Sequence, residues 1–485
     1  MKKLPLFFLS DQQQSQQTVR AVKAGRARKI GPSLYTSNTL DAPEHIVRLH
    51  VWQIISLLLP GAVVSHRSAI EGSISPAGKV YLTAGYNRTI RLPGLDIVVL
   101  KGLGPVANMD NPLLDLFIAS KERAFLENLS ATKVRSGAES KVLSQLEIEE
   151  RLSQILERQG EMELNRLRDK ARQVAQELDM HAEFKRLDAL IRILQGTKEG
   201  KLVSPRSVAH SVGDGYDASA VQRFAVLRAA LADAVFPNRL TPSVASKSFY
   251  NTAFFDAYFT NFIEGNEFEV EEALKIIDSG VVPSDRPEDG YGILGTYKVV
   301  SRIDEMCIVP KSFDDFLDIL TKRHAIIMEG RPDKRPGLFK EKPNVAGLTR
   351  FVEPPLVRGT LRQGYEFYRG LHHPFARALA MMFFVSEVHP FDDGNGRIAR
   401  AMMNAELVAE GHTRVIVPTV FRGEYLSGLK RMTEQTDPTA FIRQLEYLQQ
   451  FVSRIDFSEM DQSIKVLRHC NAFEKSFDDV RLRMP

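Results

Sequence analysis

Residues 389–400 read "HPFDDGNGRIAR", and the apolar run "ARALAMMFFVSEV" that ends at Val388 leads straight into them. Pro390 disfavours the helical region for the residue before it, so a helix must stop at His389. Gly394, Asn395 and Gly396 then supply backbone freedom and uncovered amides where a second helix starts, an arrangement that binds phosphate at a helix N-terminus. Arg397 and Arg400 fall at i and i+3 of that helix, on one face. The helix dipole disfavours cations there unless an anion joins them, and a polyphosphate would be such an anion. Asp393 offers the carboxylate that a phosphate-bound Mg²⁺ takes. His389, with an ordinary pKa of about 6.5, can accept a proton from a hydroxyl near neutrality. Singly, each residue also suits a glycine-rich helix start whose arginines pair with surface carboxylates. The tripeptide recurs at 373–375, where His372 and His373 have no ligand set beside them and read as helix-start residues.

This string resembles the Fic family motif, His-x-Phe-x-[Asp/Glu]-Gly-Asn-Gly-Arg-x-x-Arg, at every specified position. The resemblance implies a predominantly α fold and transfer of AMP from ATP to a Ser, Thr or Tyr hydroxyl of a target protein. In that reading His389 is the catalytic base and Asp393 holds Mg²⁺. Gly394, Asn395 and Gly396 bind the phosphates, and Arg397 and Arg400 contact the leaving pyrophosphate. Phe391 is a buried anchor, and Asp392 occupies the variable position. Phosphotransfer of the family's Doc branch is the alternative within the enzyme class, although that branch departs from the GNGR core kept here.

Two further segments resemble parts of the same family. "TNFIEGN", residues 260–266, matches the inhibitory pattern [Ser/Thr]-x-x-x-Glu-[Gly/Asn] at Thr260, Glu264 and Gly265. It implies that Glu264 reaches Arg400 and holds the enzyme inactive. A plain helix C-terminus, with Glu264 exposed and Gly265 as its cap, is the competing reading. "VAGLTRFVEPPLVRGTL", residues 345–361, reads as a hairpin or extended flap. The resemblance implies that Thr349, Arg350, Phe351 and Val352 dock the target backbone; an ordinary edge hairpin is the alternative. Upstream, "PGLFK" ends in Lys340 where many family members have arginine.

The 485-residue chain exceeds one ordinary core, and its 44% hydrophobic and 26% charged residues are those of folded soluble protein. Five segments are expected. Residues 1–45 form a basic, winged-helix-like segment, and 46–130 a small α+β domain. Residues 131–220 form a helical connector, 221–455 the Fic domain with its inhibitory helix, and 456–485 a tail. The order of features over 18–130 is also similar to the AbiEi-like abortive-infection antitoxins. Together these give a multi-domain protein, predominantly α with a β-hairpin flap in the C-terminal half.

Cys307 and Cys470 are too few for a disulfide framework, which suits a reducing cytoplasm. The apolar start "PLFFL" is too short for a signal peptide, and "VWQIISLLLPGAVV" too short for a bilayer span. "GLGPVA" lacks the helix that a dinucleotide fingerprint needs. Residues 1–50 hold eight Lys/Arg against three acids, Asp11, Asp41 and Glu44. This charge is either a solvated arm or a surface for phosphate backbones. The expected partners are therefore ATP, with Mg²⁺, and a target hydroxyl. DNA at the basic segment and a second copy of the chain are left open, and no membrane is expected. A DNA-binding, antitoxin-like regulator with a nucleotide-sensing Fic unit is the alternative function.

Overall fold

The computed structural model describes all residues except 1–3, 11–14, 133–138, 242–246, 348 and 476–479, so Lys2, Lys3 and Asp11 lie outside it. The chain divides into two compact units, Met1–Val212 and Gly213–Pro485.

The first unit opens with β1 (Phe7–Leu9), α1 (Ser15–Lys23), β2 (Arg28–Gly31) and β3 (Leu34–Thr36), whose strands form a sheet in the order β1-β3-β2. Next come α2 (Pro43–Leu49), α3 (Val51–Leu58), β4 (Val63–Val64), α4 (His66–Glu71), β5 (Lys79–Ala84), β6 (Arg88–Leu92), β7 (Leu95–Lys101), β8 (Asn111–Leu113) and β9 (Leu116–Ile118). Strands β4 to β9 make a mixed six-stranded sheet in the order β6-β7-β5-β4-β9-β8, with β5/β7 and β4/β9 parallel. Phe7, Ile30 and Leu34 share one core with Ile54, Val80 and Ile97, so the boundary expected at residue 45 is absent. Ser65 immediately precedes α4. The β8–β9 hairpin is followed by α5 (Lys121–Asn128).

Residues 131–220 are not a connector either. α6 (Gln145–Glu177) and α7 (His181–Leu194) bury Leu152, Leu167, Leu187 and Ile191 against Phe125 and Leu126 of α5. α8 (Pro205–Ser211) closes the unit within a stretch of loop-like composition. Its start is fixed by Ser204, whose side chain accepts from Ser207 N–H, and by Pro205 at the first position.

The second unit is helical: α9 (Ala218–Asp233), α10 (Lys247–Ile263), α11 (Val270–Ser279), α12 (Pro287–Val300), α13 (Ile303–Met306) and α14 (Phe313–Ile327). The antiparallel hairpin β10 (Val345–Ala346) and β11 (Thr349–Arg350) follows. Then come α15 (Val357–Tyr368), α16 (Pro374–Val388), α17 (Asn395–Ala409), α18 (Arg422–Gln435), α19 (Thr439–Ser453) and α20 (Met460–His469). The flap is shorter than expected, since residues 357–361 already belong to α15. The expected tail is core: Ile464, Leu467, Cys470 and Ala472 are buried with the rest of the unit. Buried on nearly every side, α16 is the central helix, as its almost unbroken apolar sequence requires. His373 caps its start by accepting from Phe375 N–H, and Pro374 occupies its first turn. It packs against α17, and the loop between them carries residues 389–394.

Candidate active site

His389 ends α16 in the left-handed region, at φ 51°, which lets the chain turn back through Pro390. Its Nδ1 lies 3.2 Å from the Ser386 carbonyl oxygen. A carbonyl only accepts, so Nδ1 carries the proton and Nε2 keeps the lone pair. Phe351 of the flap stacks on the ring, with centroids 3.7 Å apart and planes 10° from parallel. Burial lowers the imidazole pKa to about 4, and the nearby Lys340 ammonium pushes the same way while the Ser386 carbonyl opposes it. His389 is thus neutral at pH 7, a weaker base than its ordinary pKa suggested.

Phe391 is fully buried and lies flat on His324, with centroids 3.6 Å apart and planes 3° from parallel. His324 Nε2 donates to the Asp393 carbonyl at 2.9 Å, and its Nδ1 accepts from Gly337 N–H at 2.9 Å. Asn395 closes the loop from the other side. Its Oδ1 accepts from Phe391 N–H and its Nδ2 donates to Phe391 C=O, both at 2.9 Å. The side chain expected to bind phosphate is therefore engaged in the loop. What Asn395 has left for a ligand is its backbone N–H at the start of α17.

Gly394 sits at φ 75°, and a Cβ there would come within 2.6 Å of Met328 Sδ. A Cβ on Gly396 would run into the Glu264 carboxylate. The space above the Gly396 amide, where the sequence places phosphate, thus holds a carboxylate. Glu264 follows the last residue of α10, and Gly265, at φ 99°, turns the chain away behind it. The segment is thus a helix end whose glutamate reaches across to Arg400.

Glu264 Oε1 accepts from Arg400 Nη2 at 2.5 Å. The contact is single and not a two-pronged fork, because Arg400 spends its other donors elsewhere. Nε donates to Thr260 Oγ1 at 3.0 Å, Nη2 also to the Thr260 carbonyl at 3.1 Å, and Nη1 to the Tyr425 hydroxyl at 3.3 Å. Arg397 is buried as well, with Nη2 3.7 Å from Asp393 Oδ1 and Nε without a partner among the described residues. Burial lowers its pKa, against the pull of Glu264 and Asp393. The two buried guanidiniums are balanced by Glu264 and Asp393, and Arg397 Nε, unpartnered among the described residues, is the donor left for an anion.

Asp393 Oδ1 accepts from Gly394 N–H at 2.6 Å, and the side chain is 39% exposed. Asp392 pairs with Arg335 at 2.8 Å. A cleft of about 390 Å³ is lined by Glu264, Thr349, Phe351, His389, Gly396 and Arg400 among others, but not by Asp393 or Arg397. In the flap, Thr349 and Arg350 lie on β11, whereas Val352 is buried in the core and Phe351 covers His389. Only the first two keep the edge-strand position expected of all four. Sequence reading missed Tyr425 and His324. The one is a tyrosine on a helical face, the other a histidine in an apolar pattern, and neither spacing marks a role.

The Fic/DOC family model matches residues 313–407, so the chain carries a Fic domain there. Protein adenylyltransferase fic-1 of Caenorhabditis elegans is 26% identical over 184 residues, 37% of this chain and 36% of that protein. Protein adenylyltransferase Fic of Aedes aegypti is 25% identical over 188 residues, 37% of each. The chain thus spans little more than a third of the length of these relatives. Among solved structures, a fragment of C. elegans Fic-1 aligns at TM-score 0.36 and 16% identity, covering 64% of this chain and 97% of that one. A Fic-domain signaling protein of Bacteroides thetaiotaomicron aligns at 0.38 and 17%, covering 53% and 100%.

Proposed function

We propose that the Fic domain transfers AMP from ATP to a Ser, Thr or Tyr hydroxyl of a protein target, and that Glu264 holds it inactive. The observation that carries this reading is the pairing of an imidazole whose Nε2 has no hydrogen-bond partner among the described residues with a glycine-and-arginine cradle already occupied by a carboxylate. The hydroxyl oxygen attacks the α-phosphorus while His389 Nε2 takes its proton. The bond from that phosphorus to the bridging oxygen breaks, and pyrophosphate leaves. The amides of Asn395 and Gly396 and the guanidiniums of Arg397 and Arg400 offset the charge on the phosphates, a preorganised electrostatic contribution. Asp393 suits Mg²⁺, which commonly takes one or two protein carboxylates and fills its shell with phosphate and water. When bound, the ion would neutralise phosphate charge. Thr349 and Arg350 offer backbone for an extended target segment to pair with.

Glu264 fills the space over Gly396 and one donor of Arg400, so the triphosphate must displace it. A hydrogen bond between charged groups contributes about 1.5–3 kcal/mol, so the lock should suppress turnover roughly 10- to 100-fold. Incubation with Mg²⁺ and ATP labelled at either the α- or the γ-phosphate tests the reaction. Label on protein from the α-position only is expected. Label from the γ-position would instead mean phosphoryl transfer.

A second reading, DNA contact by the first unit, draws on α1 and the β2–β3 hairpin, where Arg20, Lys23 and Lys29 are exposed. Binding to duplex DNA should weaken steeply between about 50 and 200 mM salt and fall when these three become glutamine. Absence of binding at low salt would remove this reading.

A further inference from the structure

Among the described residues Lys340 is the only buried lysine, at 3% exposure. An ammonium taken out of water without a carboxylate partner is costly, and Lys340 makes no ion pair among the described residues. Its Nζ donates instead to Asn344 Oδ1 at 2.7 Å and to the Val388 carbonyl at 3.3 Å. Its own backbone N–H donates to the Pro390 carbonyl at 2.9 Å. Asn344 extends the set: Nδ2 donates to the Phe391 carbonyl at 3.0 Å, and its carbonyl accepts from Phe351 N–H at 3.3 Å. Carbonyls 388, 390 and 391, on both sides of His389, are thus each held by residues at the root of the flap. The flap in turn lays Phe351 on the imidazole.

We propose that Lys340 is a positioning residue for the transfer reaction: together with Asn344 it staples the flap to the loop bearing His389, so that the surface receiving the target and the imidazole receiving its proton are held as one unit. The proposal rests on His389 being the base. It explains why a cation persists in a dry position where an apolar side chain would cost less. It also ties target docking to catalysis without any contact between Lys340 and the target. Misplacing a reacting group by about an ångström can cost on the order of 100-fold in rate, so a slack staple should lower turnover far more than nucleotide affinity.

The groups facing the imidazole are the Ser386 carbonyl, Lys340, Glu264 and Asp393, with Phe351 on its ring face. Removing the lysine charge raises the His389 pKa, and a loosened flap that uncovers the ring raises it in the same direction, because burial is the larger cause of its depression.

The test uses the full chain, with E264G as parent and K340M and K340R built on it. Three readouts are followed: AMP transfer at several pH values, hydrogen exchange of residues 345–353, and NMR titration of the His389 ring. In K340M, kcat should fall roughly 10- to 100-fold with little change in the KM for ATP. Flap amides should exchange faster and the His389 titration should move to higher pH. K340R, which keeps the charge and the donors, should restore most of each. K340M matching its parent in all three readouts would overturn the staple and leave the transfer reaction standing. An E264G parent that transfers no AMP would overturn the reading beneath it.

Discussion

Asn395 carries a prediction that its place in the motif would not suggest. Both ends of its amide close on Phe391, so N395A leaves the buried Phe391 N–H unpaired at a cost of about 1–3 kcal/mol, while the Phe391 carbonyl keeps its bond from Asn344 Nδ2. Urea unfolding should show the second unit destabilised by at least 1 kcal/mol, roughly the lower figure. A loss near zero would mean that the amide is free to serve a ligand. At this scale the site was legible wherever its chemistry is local. His389, Asp393, the two glycines and both arginines lie within twelve residues, and helix periodicity fixes their relative directions. Glu264 was legible only through a resemblance, because nothing local says where a residue after a helix end will point. His324, Tyr425 and the role of Lys340 were not legible, since packing of separate helices brings them to the loop and no spacing records it.

Elements followed the sequence where their period was long and failed where it was short. The bracketing of α16 by Pro374 and Pro390 was readable, and α6 is broken at a glycine. At φ 80° and ψ 175°, Gly160 occupies a region that other residues enter only at a cost of about 1–3 kcal/mol. G160A should therefore lower the thermal midpoint of the first unit. An unchanged or raised midpoint would show that α6 straightens at no cost. By contrast, Leu113 to Phe117 share helical spacing but form a two-strand hairpin, because Leu114 turns at φ 55° and Leu116 pairs with Leu113. Loop-like composition hid α8 in the same way, its apolar positions being too few to show a period.

Across the whole chain, two units with separate cores replace the five segments expected from composition, because composition records what a stretch contains and not what it packs against. Each unit holds a histidine kept neutral by burial: His66 in the first is lowered to about 3, and His324 in the second to about 4. Both folded values lie below the ordinary value of about 6.5, so below that pH the unfolded chain binds more protons. Stability is then fully present above about pH 6.5 and falls as pH drops towards 4 and 3. Each pKa unit corresponds to about 1.4 kcal/mol, so both units should lose a few kcal/mol between pH 7.5 and 4.5. Calorimetry should show both transitions moving down with acid, and pH-independent midpoints over that range would contradict the burial of these rings.

The central claim is that an imidazole and an anion cradle form one catalytic centre, held closed by Glu264. The most direct measurement is transfer of α-labelled AMP to protein by the full chain, by E264G, and by E264G combined with H389A, in the presence of a cell lysate as target source. The account predicts a weak signal from the unaltered chain, one roughly 10- to 100-fold stronger from E264G, and none from the double variant. Equal labelling by E264G and the double variant would contradict it, because the proton would then be leaving by a route that does not pass through His389.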